Sequence, residues 1–207
     1  MKILFQGDSI TDWGRSREDP HLLGDGYPKF AAEAIKNRHP DTEFEFINLG
    51  ISGNKVEDLV NRWQTDCIDL QPDIVSILIG INDVWHRADG RKWLDNGIFE
   101  SQYRSILEET KAKTSAKIIM LEPYLAYTED KAYFREDLDP KIQIVRALAR
   151  EYADVFIPID GIIAAASVQC EPTLWIYDGV HPAEPGAHLI AKHYADAVDF
   201  ILAGMKK

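Results

Sequence analysis

Three side chains of the types that cooperate in nucleophilic catalysis stand far apart in this 207-residue sequence: Ser9, Asp178 and His181. A serine hydroxyl is a weak nucleophile at neutral pH unless a base removes its proton during attack. Histidine suits that task because its ordinary pKa lies near neutrality, and a neighbouring aspartate fixes its tautomer and stabilises the imidazolium. Asp and His three positions apart can meet in a tight turn, which Gly179 favours. These residue types therefore predict acyl-transfer chemistry.

Each of these residues has a plainer interpretation when it is taken alone. Asp8 and Ser9 directly follow a short apolar segment, where Asp and Ser commonly cap the N-terminus of a helix. His181 alone is typical of a surface or capping histidine, and Asn82 alone is typical of a turn. The chemical interpretation therefore depends on a fold that brings the two ends of the chain together.

Acyl transfer also needs hydrogen-bond donors that point at the oxyanion as it forms in the transition state. The sequence offers three donors: the backbone N–H of Ser9, the backbone N–H of Gly50 and the side-chain amide of Asn82. Gly50 is predicted to suit this role because its backbone can approach a substrate without a Cβ in the way.

Two further residues are candidates for substrate binding. Trp85 follows the Asn82 segment closely and offers a face on which a sugar ring can stack, although tryptophan also supplies core and interface area. Asp8 stands directly before Ser9, and an alternative prediction is that Asp8 and Asp83 brace their loops by hydrogen bonds.

Strand and helix patterns alternate along the chain, which predicts an α/β fold with a parallel sheet covered on both faces. Strands are predicted at residues 2–6, 43–47, 74–79, 117–121 and 155–159. Helices are predicted at residues 29–35, 56–70, 99–113, 139–151, 162–168 and 187–202. Turns rich in Gly, Asp and Asn follow the first three strands, so they should share one edge of the sheet. We see no internal boundary, and residues 1–207 are predicted to form one domain.

Composition narrows the classes of partner. The chain carries 34 Asp and Glu against 23 Lys and Arg, a net charge of −11, which opposes binding to nucleic acid or to anionic membranes. Cys67 and Cys170 show no metal-ligand spacing and are predicted to be buried thiols. No metal and no cofactor is predicted. The N-terminal apolar run is too short for a secretory signal, so a cytoplasmic location is expected.

Four sequence blocks in order resemble those of the SGNH (GDSL-type) hydrolases. They are Gly7-Asp8-Ser9-Ile10, the Gly50 turn, Gly80-Ile81-Asn82-Asp83 and Asp178-Gly179-Val180-His181-Pro182. The resemblance implies a flavodoxin-like three-layer α/β/α fold with a five-stranded parallel sheet. It implies Ser9 as nucleophile, His181 as base, Asp178 as its partner, and Ser9, Gly50 and Asn82 as oxyanion-hole donors. Such enzymes hydrolyse esters or thioesters through an acyl-serine, without a cofactor.

Residues 5–12, 48–54 and 79–85 are similar to the acetylxylan-esterase branch of that family. This narrower resemblance implies an esterase that removes small acyl groups, above all acetyl, from carbohydrates such as acetylated xylo-oligosaccharides, and it allows a homo-oligomer. A lipase or acyl-thioesterase acting on longer acyl chains uses the same chemistry. A binding module on the same scaffold, with Ser9 and His181 in structural roles, is the alternative from another class.

Overall fold

The computed structural model describes residues 1–205, and at its centre lies a five-stranded parallel sheet. The strand order is β2-β1-β3-β4-β5, the order typical of flavodoxin-like folds. The strands are β1 (Lys2–Gly7), β2 (Glu45–Asn48), β3 (Ile74–Leu78), β4 (Lys117–Leu121) and β5 (Val155–Ile157). Every residue of β3 is buried, as expected for an apolar strand in the middle of a parallel sheet. The predicted fold class is confirmed.

Helices cover both faces of the sheet. They are α1 (Ser9–Asp12), α2 (Tyr27–Arg38), α3 (Val56–Trp63), α4 (Ile81–Trp85), α5 (Asn96–Lys113), α6 (Arg135–Tyr152), α7 (Ile159–Ala166) and α8 (Glu184–Met205). Buried side chains of α2 and α8 pack on one face, and those of α3 and α5 pack on the other. The sheet thereby becomes the middle of three layers and holds the ends of its strands in fixed positions.

Several predicted boundaries differ from the structure. The predicted helix over residues 56–70 is α3 followed by a single π-helical stretch, Gln64–Ile68. The short helices α1 and α4, which begin directly after β1 and β3, were not anticipated because four or five residues show no helical period.

Helix α6 begins four residues before the predicted start at Asp139, and Pro140 lies inside it. The Nζ of the buried Lys141 is 2.5 Å from Asp137 Oδ1 and 3.1 Å from the carbonyl oxygen of Leu94. The hydrogen bond from Lys141 to Leu94 ties the first turns of α6 to the loop before α5. Tertiary contact therefore outweighs the tendency of proline to mark a helix start.

Among residues 1–205, none of the helices combines the length and the apolar character needed to cross a bilayer. Both cysteines are free thiols; Cys67 is buried as predicted, whereas Cys170 is partly exposed.

Candidate active site

Ser9 and His181 meet at the edge of the sheet where the parallel strands end. Ser9 is the first residue of α1, directly after β1, and Asn82 lies in α4, directly after β3. His181 stands just before α8. Its Nε2 is 2.9 Å from Ser9 Oγ, although 172 positions separate the two residues. Its Nδ1 is 2.7 Å from Asp178 Oδ2, so a continuous hydrogen-bonded chain joins hydroxyl, imidazole and carboxylate.

The environment of Asp178 keeps its carboxylate charged. Its Oδ1 accepts hydrogen bonds from the backbone N–H groups of Val180 (2.9 Å) and His181 (2.7 Å). Partial burial acts to raise the pKa of Asp178, but the bonds from the His181 ring and these two N–H groups lower it to about 2. A carboxylate that only accepts favours the His181 tautomer with its proton on Nδ1. Nε2 is then free to accept the Ser9 proton.

A loop after β4 holds the turn that carries Asp178 and His181. The buried Tyr124 hydroxyl donates to the carbonyl oxygen of Val180 (2.8 Å), and the Ala126 N–H donates to the carbonyl oxygen of Gly179 (2.8 Å). Gly179 has φ +88°, and a Cβ there would lie 2.8 Å from Thr128 Oγ1. Only glycine fits this turn. Nothing in the sequence singled out the Tyr124 hydroxyl.

Two of the three predicted oxyanion donors have hydrogens to spare. The backbone N–H of Ser9 has no hydrogen-bond partner among residues 1–205. Asn82 is 5% exposed, and its Nδ2 donates one hydrogen to the carbonyl oxygen of Asn54 at 3.1 Å. A side-chain amide carries two donor hydrogens, so one remains. The bond to Asn54 fixes the direction in which the second hydrogen points.

The prediction for Gly50 needs correction. Its N–H donates to Asn48 Oδ1 at 2.9 Å. Asn48 is itself buried, and its Nδ2 donates to the carbonyl oxygens of Thr11 (2.7 Å) and Leu23 (2.8 Å), which leaves the side chain no freedom to turn away. A donor held in this way is not free for an oxyanion. Gly50 instead shapes the loop, since a Cβ there would lie 2.5 Å from the backbone nitrogen of Asp12.

Gly53, in the same turn, is better placed than Gly50. It stands between Ser52, which lines a cleft with Ser9, and Asn54, whose carbonyl oxygen binds Asn82. The backbone N–H of Gly53 makes no hydrogen bond within the part of the chain that the structure describes. The sequence does not reveal this because the turn holds two glycines, and only the hydrogen bonding tells them apart.

Asp8 is not a substrate-binding residue in this structure, because it is completely buried. Its Oδ1 accepts from the Ile10 N–H at 3.0 Å and caps α1, which is the alternative bracing role. Its Oδ2 has no partner among the described residues, and burial raises the pKa of Asp8 to about 7. Asp83 braces α3 in the same way by accepting from the Val56 N–H at 3.1 Å, and burial raises the pKa of Asp83 to about 6.

An open cleft of about 420 Å³ lies beside the Ser9 hydroxyl. Its lining consists of hydroxyl, carboxylate, imidazole, glycine and aromatic groups: Ser9, Trp13, Gly14, Asp25, Ser52, Tyr177 and His181. Trp85 is not among them. The centroid of its ring lies 5.8 Å from that of His181, and Lys131 Nζ lies 5.5 Å from the ring centroid of Trp85. Trp85 therefore lies near the imidazole without lining the cleft.

Comparison with known proteins agrees with this geometry. A model of the GDSL-like lipase/acylhydrolase family matches residues 5–189 of the chain, a span that includes Ser9 and His181. The chain belongs to this family. Since its members are acylhydrolases, the protein is a carboxylic ester hydrolase, and the resemblance seen in the four sequence blocks is confirmed.

Relatives of this GDSL family member match along nearly the whole chain. An acetylxylan esterase from Geobacillus stearothermophilus is 32% identical over 207 residues, covering 96% of this chain and 94% of its own. The solved structure of that esterase, Axe2, superposes with a TM-score of 0.87 and covers 95% of this chain and 93% of the esterase. A GDSL-like protein of Parabacteroides merdae, also of known structure, is 36% identical with a TM-score of 0.87, covering 95% of this chain and 94% of its own.

Structures of Axe2 include catalytic mutants in which alanine replaces a serine, an aspartate or a histidine. The mutated aspartate and histidine stand three positions apart, as Asp178 and His181 do in this GDSL family member.

Proposed function

We propose that the protein is a serine esterase that removes small acyl groups, acetyl above all, from carbohydrates such as acetylated xylo-oligosaccharides. The proposal treats the chain as one SGNH domain in which Ser9 is the nucleophile, His181 the general base and Asp178 its orienting partner. A cytoplasmic location and a homo-oligomeric state stay predictions.

The hydrogen-bonded chain supports a two-step mechanism. His181 Nε2 takes the Ser9 proton as Oγ attacks the ester carbonyl carbon, and Asp178 stabilises the imidazolium that forms. The tetrahedral intermediate collapses when His181 returns the proton to the leaving alcohol oxygen, which leaves an acyl-serine. Water then gives a proton to the same imidazole as it attacks the acyl carbon. The bond from that carbon to Ser9 Oγ breaks, Oγ takes the proton back from His181, and the carboxylic acid is released.

The developing oxyanion would accept from the N–H of Ser9, the N–H of Gly53 and the second amide hydrogen of Asn82. Each group is held by the backbone or, for Asn82, by its bond to Asn54, so none must reorganise as charge forms. Removal of one such donor typically lowers the rate by about 10² to 10³.

The lining of the cleft is the observation that carries the substrate class. Seven residues line the cleft, Ser9 among them, and none of the seven has an aliphatic side chain. The lining groups are aromatic or polar. A fatty acyl chain needs an extended aliphatic surface, whereas a sugar needs hydrogen-bonding groups and aromatic faces. The lining therefore favours a short acyl group on a carbohydrate over the lipase alternative. The likeness to an acetylxylan esterase supports the same substrate class.

The test is a comparison of acyl length and alcohol on one enzyme preparation. Acetate released from acetylated xylo-oligosaccharides is measured beside the hydrolysis of nitrophenyl esters from acetate to palmitate. We expect turnover of the acetylated sugars and a nitrophenyl rate that falls steeply as the acyl chain lengthens. A preference for palmitate would establish the lipase alternative. Absence of turnover on every ester by folded protein would favour the binding module.

A further inference from the structure

We propose that Trp13, Asp25 and Tyr177 form the subsite for the sugar ring of the leaving alcohol, and that Trp13 is its specificity-determining platform. The inference rests on the proposed function, since it concerns the alcohol side of the same ester. It assigns the sugar contact to Trp13 instead of Trp85, the residue that the sequence favoured.

The backbone holds Trp13 in a conformation that large side chains rarely adopt. Trp13 ends α1 with φ 34° and ψ 52°, in the left-handed region. Two close approaches of the chain surround it: a Cβ on Gly26 would lie 2.6 Å from Trp13 Cβ, and a Cβ on Gly24 would lie 2.6 Å from the Trp13 carbonyl oxygen. Strained residues of this kind persist where the surrounding structure fixes them, and they concentrate at functional sites.

The same loop places Asp25 beside Trp13. The Asp25 N–H donates to the carbonyl oxygen of Trp13 at 3.0 Å, so the two residues are joined through the backbone. Both side chains line the cleft at Ser9. A glycine on each side of Asp25 lets the loop press against the tryptophan. The platform and the carboxylate are therefore positioned as one unit.

Trp13 and Tyr177 form an aromatic corner around the imidazole. The ring centroid of Trp13 is 5.8 Å from that of His181 and 6.1 Å from that of Tyr177, and Tyr177 stacks on His181 with centroids 5.9 Å apart. His181 must hand its proton to the oxygen of the leaving alcohol, so the alcohol has to lie beside this ring. Tyr177 is 53% exposed, which leaves a large aromatic surface open to a ligand.

Asp25 supplies polarity at the rim of this corner. Its carboxylate is exposed and lies 2.9 Å from Lys29 Nζ. An ionised carboxylate only accepts hydrogen bonds, and sugar hydroxyls are the matching donors. The Lys29 ammonium balances the charge of the Asp25 carboxylate, so this pair gives the rim no net charge. The subsite therefore fits a neutral sugar ring, its apolar face on Trp13 and its hydroxyls toward Asp25.

Trp85 does not offer such a platform. Lys131 lies over its ring, and its centroid is 6.0 Å from that of Phe134. Trp85 also lies outside the set of residues that line the cleft.

The experiment compares a cyclic with a ringless alcohol. Acetate release from a monoacetylated methyl xyloside and from ethyl acetate is measured for the wild type, Trp13→Ala, Trp13→Phe and Asp25→Asn. Phe200→Ala is the matched control, because Phe200 is a 70% exposed aromatic that lines a separate cavity with Lys117, at the opposite edge of the sheet. Thermal melting verifies that each variant is folded.

We expect Trp13→Ala to raise KM for the xyloside about tenfold with kcat largely kept, so that the ratio of kcat/KM on the xyloside to kcat/KM on ethyl acetate falls about tenfold. Trp13→Phe should retain most of the xyloside affinity, Asp25→Asn should raise that KM about threefold, and Phe200→Ala should match the wild type. Equal losses on both esters, or no loss on either, would overturn the subsite. A wild type that hydrolyses ethyl acetate but not the xyloside would instead overturn the proposed carbohydrate function.

Discussion

Asp178, the aspartate that binds the imidazole, and Asp8, the aspartate buried beside Ser9, have pKa values shifted in opposite directions. Asp178 accepts three hydrogen bonds near the surface, and these lower its pKa to about 2. Asp8, next to Ser9, is completely buried with one donor on one oxygen and none among the described residues on the other, and burial raises its pKa to about 7. One carboxyl is charged at every working pH. The other is costly to ionise in the folded chain.

The surroundings of a carboxyl, more than its place in the sequence, decide its role here. Sequence position suggests a functional role for both aspartates, since each stands within three residues of Ser9 or His181. The depth of burial and the number of donors that reach each carboxylate together separate them. Asp178 can hold the imidazole because it stays ionised, whereas Asp8 caps a helix and tolerates its charge poorly.

The different roles of the two aspartates are tested most clearly by replacing each in turn with asparagine. Asp178→Asn should lower kcat by about 10³ to 10⁴, because an amide cannot hold His181 in the tautomer that accepts the serine proton. Asp8→Asn should keep kcat within about tenfold. Both are measured as kcat and KM on nitrophenyl acetate. Comparable losses in the two variants would show that the distinction between the carboxylates is wrong.

The same contrast is expected between neighbours in α4. Asn82→Ala should lower kcat by about 10² to 10³ with little change in KM, because the oxyanion loses a fixed donor. Asp83→Asn keeps an acceptor for the Val56 N–H and should leave kcat within about tenfold. An Asn82→Ala variant with nearly normal kcat would remove the amide from the mechanism.

The turn that holds Asp178 can be weakened without replacing Asp178 itself. Tyr124→Phe removes the hydroxyl that binds the carbonyl oxygen of Val180 and leaves a buried carbonyl unpaired. Unfolding free energy should fall by about 1–3 kcal/mol, and kcat should fall about tenfold as the turn loosens. Urea unfolding and steady-state rates measure the two effects. Lower stability with unchanged kcat would show that the turn keeps its geometry alone.

The smallest expected effect is on the way the unfolding free energy changes with pH. A carboxyl with a pKa of about 7 in the fold and about 4 in the unfolded chain binds more protons when folded, so wild-type unfolding free energy falls as pH rises from about 4 to 7. Asp8→Asn removes this loss. The unfolding free energy of Asp8→Asn, relative to that of the wild type, should rise by on the order of 1–3 kcal/mol between pH 5 and pH 8, as measured by urea unfolding. A constant difference across that range would contradict the raised pKa.

Much of the fold was readable from the sequence because short apolar segments bounded by turn residues, such as residues 74–79 and 117–121, are typical of buried strands. The four blocks also predicted that Ser9 and His181 would meet. The sequence could not show which backbone N–H groups already donate to an acceptor within the fold. Gly50 and Gly53 are alike as residue types, yet the Asn48 side chain accepts from the N–H of Gly50, whereas the N–H of Gly53 has no partner within residues 1–205. Likewise, the sequence could not show that Trp13 lines the cleft beside Ser9 while Lys131 lies over the ring of Trp85.

Ser9 should be a nucleophile activated by His181 and Asp178. Labelling with a fluorophosphonate measures that reactivity directly. Intact-protein mass spectrometry of the treated wild type should show one adduct, mapped to Ser9 by peptide analysis. Ser9→Ala should show none, Asp178→Asn should react far more slowly, and Asp8→Asn should react at nearly the wild-type rate. Folded wild-type protein that forms no adduct, or forms it on another residue, would contradict the account.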